Sequence, residues 1–61
     1  MSVEKLYLWL EEKKQQMREA NKPTRKLLAH QCWGAIDLAL ALGVISESLA
    51  EVENGLVNDF M

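Results

Sequence analysis

The sequence holds one cysteine, Cys32, one histidine, His30, and one proline, Pro23, and its three glycines stand singly. Each scarcity removes a class of protein. A lone cysteine cannot close an internal disulfide, and one His with one Cys cannot supply a four-ligand metal site. His30 and Cys32, two positions apart, would also point to different faces of a helix. Scattered glycines leave no loop to cradle a phosphate. The longest apolar run, Leu38 to Ile45, falls far short of the roughly 20 residues a membrane span needs. The run Leu6 to Leu10 follows Glu4-Lys5 and has no small-residue cleavage site, so neither a signal peptide nor a membrane partner is expected.

Catalytic groups are as sparse. His30 and Asp37 invite a triad reading. On one helix, however, seven residues separate them by about 10 Å along the axis, beyond hydrogen-bond reach. Ser2, Ser46 and Ser48 have no G-x-S-x-G surroundings. A chain of 61 residues has little room for an enclosed substrate pocket. We therefore expect no enzyme, no cofactor, no metal and no small-molecule substrate.

What the chain does have is apolar, helix-forming sequence. Its size bounds it to one domain, 1–61, with a modest core. The usual helps for so small a domain are disulfides, metals and oligomerisation, and the first two are excluded by composition. Cys32 sits on an apolar flank, which suits a reduced thiol in the cytoplasm. The chain opens on Met1 and reads as a complete small open reading frame.

The centre of the sequence is Thr24 to Gly43. Here Lys26, His30 and Asp37 share one narrow stripe at about 100° per residue, with Gln31 apart from them, and nearly every other residue is apolar or small. A helix apolar most of the way round needs cover on at least two sides. Thr24 is the expected N-cap and Gly43 the left-handed residue that ends the helix. Ile36 and Leu40 are expected to be buried. Gly34, mid-helix, costs roughly 1 kcal/mol relative to Ala. We expect a second helix, or a bulky side chain such as Trp9 or Phe60, to lie close against it.

Two further helices flank this one. The first runs over about 2–20, with Ser2 as N-cap, Glu4 in the favourable first turn, and Val3, Leu6, Tyr7, Leu10 and Met17 on its core face. Asn21-Lys22-Pro23-Thr24 breaks it, and the central helix follows over about 25–42. The third covers about 46–58. Ser46 or Ser48 caps it, Ser48 having capping-box spacing to Glu51. Leu49, Val52, Leu56 and Phe60 step along its apolar face, and we expect it to continue past Asn54-Gly55. The fold class is thus all-α, a small three-helix domain with the central helix most buried. Leu8 and Trp9 lie well off the core face of the first helix, and one neighbour cannot cover them. Contiguous exposed apolar surface marks interfaces, so a homodimer is expected, with Leu8, Trp9, Trp33 and Phe60 as candidate interface residues.

The net charge of −2 conceals a division. All seven bases lie in 1–26 against four acids, a net of +3, whereas 27–61 holds five acids and no base, a net of −5. Lys13, Lys14, Arg18, Lys22, Arg25 and Lys26 form a candidate electrostatic surface for a partner. The plainer expectation is that the two halves face each other.

The stretch Leu38-Ala39-Leu40-Ala41-Leu42-Gly43-Val44, with Leu49 and Val52, resembles the helix-turn-helix signature of bacterial and phage repressors. Ala39, Gly43, Val44, Leu49 and Val52 match its alanine, turn glycine and flanking apolar positions. The resemblance implies DNA binding through a 38–53 segment. Ile45 stands where such turns commonly carry a polar residue. The would-be recognition helix carries Glu47, Glu51 and Glu53 and no base, which phosphates would repel. The favoured expectation is a non-enzymatic intracellular protein that binds another protein and itself, such as an accessory or regulatory protein of a bacterium, phage or mobile element. The alternative is a small DNA-binding transcriptional regulator.

Overall fold

The computed structural model describes residues 2–61, and its elements are three helices: α1 (Val3–Glu19), α2 (Lys22–Ala41) and α3 (Glu47–Asp59). Each starts on a side-chain cap that satisfies an otherwise orphaned amide. Ser2 Oγ accepts from the Lys5 amide at 3.1 Å, Asn21 Oδ1 from the Thr24 amide at 3.1 Å, and Ser46 Oγ from the Leu49 amide at 3.2 Å. The second cap corrects the expected start of the central helix. Asn21, not Thr24, caps it, and Pro23 lies in the first turn, where a missing N–H leaves no bond unmade. The connection between α1 and α2 shrinks to Ala20 and Asn21.

α2 ends as its sequence suggests. Gly43 adopts φ 73°, the Gly43 amide donates to Leu40 O at 3.1 Å, and the Val44 amide to Ala39 O at 2.9 Å. This pair of bonds is the Schellman arrangement, which needs a left-handed residue at Gly43. Of the two serines, Ser46 is the cap of α3, and the helix runs through Gly55 to Asp59.

Contacts along the helices give their directions. Lys5, Leu6 and Trp9 near the start of α1 line one groove with Ala35 and Leu38 from late in α2, so these two helices are antiparallel. Lys14 reaches Glu53, and Arg18 lies over Phe60, so α1 and α3 run the same way. The result is an up-down-up bundle of 33 × 18 × 14 Å in which α2 packs against both other helices.

The largest fully buried side chains come from all three helices: Leu10 and Met17 of α1, Cys32 and Ile36 of α2, and Val57 of α3. Ile36 is buried as expected, whereas Leu40 is half-buried. Val3 is 39% exposed and drops out of the expected α1 face. Lys14 takes a core position between Leu10 and Met17, one turn from each. α3 differs most. Its inward residues are Ala50, Glu53 and Val57, with Leu49 and Phe60 half-buried beside them. Val52 and Leu56, expected inside, are 57% and 40% exposed. The bond from Lys14 to Glu53 accounts for this, because it requires the Glu53 side of α3 to face α1. Gly34 has no neighbour within 4 Å of where a Cβ would stand, so neither Trp9 nor Phe60 lies against it.

Candidate interaction surface

The basic stretch divides when its side chains are traced individually. Lys14 is buried, its Nζ 3.3 Å from Glu11 Oε1 and 3.2 Å from Glu53 Oε2. Arg25 donates from Nε to Met17 O at 3.0 Å and from Nη2 to Ala20 O at 3.1 Å, closing the C-terminal end of α1. Cationic side chains suit that end of a helix dipole. Lys13 lies 5.2 Å from the ring centre of Trp9, and Arg18 5.0 Å from that of Phe60, both within cation–π range. Only Lys22 and Lys26 of the six are exposed without such a contact among the described residues. Four of the six expected partner-facing bases are therefore engaged within the fold.

The candidate interface residues do not form one patch. Leu8 is 65% exposed but lies on the far side of α1 from Leu6 and Leu10, with Glu4, Glu11, Glu12 and Gln15 around it on the helix surface. It is a single apolar residue in a charged face. Phe60 is half-buried beneath Arg18. Trp33 is half-buried, edge-on to His30 with ring centres 5.2 Å apart. Trp9 alone of the four lines a groove: about 320 Å³, open, walled by Lys5, Leu6, Trp9, Ala35 and Leu38, and almost wholly apolar.

That groove borders a surface the sequence reading missed. Leu27, Gly34, Leu38 and Leu42 recur along α2 at steps of seven and four, so they share one face. All are exposed, the leucines at 59%, 54% and 63%. Gln31 and Ala41 complete the stripe and are exposed too. The periodicity was available in the sequence. The expectation was cover on at least two sides of this helix, without saying which side stays open; α1 and α3 leave the Leu27–Leu38–Leu42 side uncovered.

The remaining chemistry is sparse. Burial pushes the Cys32 thiol above its ordinary value of 9.0, against smaller opposing pulls from Lys13 and Lys14. Asn54 Oδ1 is buried without a hydrogen-bond partner among the described residues. Among those residues there is no group of three or more His, Cys, Asp or Glu side chains placed to hold a metal ion. No helix among them is long and apolar enough to cross a membrane. The chain matches no protein-family model, no curated protein and no solved structure.

Proposed function

We propose that this chain is a non-enzymatic protein-binding domain that self-associates as a homodimer in a reducing, intracellular compartment. The observation that carries this reading is the outer face of α2, where Leu27, Leu38 and Leu42 stand more than half exposed beside the Trp9–Ala35 groove. A row of exposed leucines that meets an apolar groove at Leu38 is the kind of surface that marks a protein interface. α2 is then the most buried helix of the assembly, covered by α1, by α3 and, on its third side, by a partner. The buried free thiol of Cys32 fits a compartment where thiols stay reduced.

The rival reading, a DNA-binding regulator, finds less support. Lys14 and Arg25 are occupied inside the fold, and α3 turns Glu47 and Glu51 to solvent. Sedimentation equilibrium at tens of micromolar and a low-salt titration with random duplex DNA separate the two. We expect a mass near twice the 7.0 kDa of one chain, and no salt-dependent duplex binding. A 7.0 kDa species with strongly salt-dependent binding would reverse the order of the two readings.

A further inference from the structure

Three features of α3 are not reconciled by its one observed packing. Val52 and Leu56 continue the apolar row of Leu49 and Phe60, yet they are 57% and 40% exposed. Glu53 takes the inward position instead, with Lys14 as its ion-pair partner on α1. Asn54 Oδ1 is buried with no hydrogen-bond partner among the described residues, so its desolvation goes uncompensated.

A single movement relieves all three. At about 100° per residue, the centre of the Leu49–Val52–Leu56–Phe60 row lies roughly a quarter turn round α3 from that of Ala50, Glu53 and Val57. We infer that α3 has a second seat, turned by about that angle, and that the buried Lys14–Glu53 pair is the latch that holds the first. In the second seat Leu49 and Phe60 still face inward. Val52 and Leu56 replace Ala50 and Val57 beside them, Asn54 swings round to water, and Glu53 turns away from α1.

The ion pair carries the direction that the apolar contacts lack. Val52 and Leu56 together are larger than Ala50 and Val57, so apolar burial alone favours the second seat. Arg18 over Phe60 also ties α3 to α1, but Phe60 faces inward in both seats. Only the bond from Lys14 Nζ to Glu53 Oε2, at 3.2 Å between side chains 7% and 9% exposed, separates the two. Turning Glu53 away from its cation leaves both charges uncompensated, so the pair opposes the rotation while it is intact. The latch thereby sets which side of α3 meets a partner: Val52 and Leu56 in the first seat, Ala50 and Asn54 in the second.

The test reads the seats with one cysteine at a time, in the full chain carrying Cys32→Ala. In the latched protein Val52→Cys should react quickly with a water-soluble thiol reagent. Val57→Cys should react slowly, because Val57 has no exposed surface. Adding Glu53→Ala opens the latch, while Lys14 keeps its bond to Glu11. The thiol at 52 should then slow and the thiol at 57 quicken, each by at least about tenfold, since reactivity follows the fraction of time a thiol is open to solvent. Lys14→Met breaks the pair from the other side and should give the same reading, so either variant decides where the other fails to fold. Lys14→Met with Glu53→Leu places an apolar pair at the latch and should restore both original rates. Rates that rise together would mean a loosened fold, and unchanged rates would mean a single seat; each overturns the inference. Failure of both latch variants to fold overturns it as well, because a second seat would have received α3.

Discussion

Lys14 and Glu53 illustrate how much one buried pair can decide. Their side chains are 7% and 9% exposed, and the pair links α1 to α3. Removing one partner from a buried ion pair leaves a charge without compensation, at a cost of about 3–5 kcal/mol. Replacing both by apolar residues of similar volume is often neutral. Lys14→Met should therefore lower stability by that amount, and Lys14→Met with Glu53→Leu should recover most of it in urea melts at fixed protein concentration. A double variant no better than the single would mean that the pair contributes more than it costs to bury. In the sequence Lys13 and Lys14 look interchangeable. Spacing does not separate them, since Lys13 is three from Leu10 and four from Met17 while Lys14 is four and three; the contact with Glu53 does. Cys32 offers a second test at this scale. Its folded thiol holds its proton more tightly than an unfolded one, because burial opposes the thiolate. Its contribution to stability is therefore complete below the ordinary value of 9.0 and is lost as pH rises through the higher folded value. Denaturation midpoints should fall more steeply above that pH for the wild type than for Cys32→Ala, and equal slopes would contradict the linkage.

At the scale of elements, helix existence was readable and helix orientation was not. Three helices and two breaks followed from Ser2, Pro23, Gly43 and the apolar period. The start of α2 was misplaced because Thr24 and Asn21 are both good caps, and only the bond to Asn21 Oδ1 distinguishes them. Asn21→Ala should cost about 1 kcal/mol, measured by thermal melt, whereas removing the Thr24 hydroxyl with Thr24→Val should cost no capping bond. The rotation of α3 was missed for a different reason. Val52 and Leu56 give a better apolar face than Ala50, Glu53 and Val57, and hydropathy alone cannot see that Glu53 has a buried cation waiting on α1. A local signal was overruled by a contact 39 residues away.

The whole molecule is a small bundle whose stability is marginal by its size. Of the candidate surface, Trp9 at the groove was readable in advance, but Leu8 was named where the exposed face is Leu27, Leu38 and Leu42. Single-chain periodicity shows which residues are apolar, while only the arrangement of α1 and α3 shows which of them stay uncovered. The proposed dimer makes a prediction in which fold and interface respond differently. Ile36 is fully buried, so Ile36→Ala should cost about 2–5 kcal/mol at any protein concentration. Leu38 is 54% exposed in the single chain. Leu38→Ala should leave dilute protein nearly unchanged, since surface truncations fall within about 0.5 kcal/mol. A dimer in which only the folded state associates is stabilised by mass action, so its melting temperature rises with concentration. The wild-type Tm should therefore climb between about 1 and 100 μM, because the small interface is only partly populated at the lower end. The Leu38→Ala curve should be flatter, and Ile36→Ala, where it still folds, should run below the wild type with the same slope. A wild-type Tm independent of concentration, with a Leu38→Ala protein as destabilised as Ile36→Ala, would place Leu38 in the core of the single chain and remove the exposed α2 face as an interface.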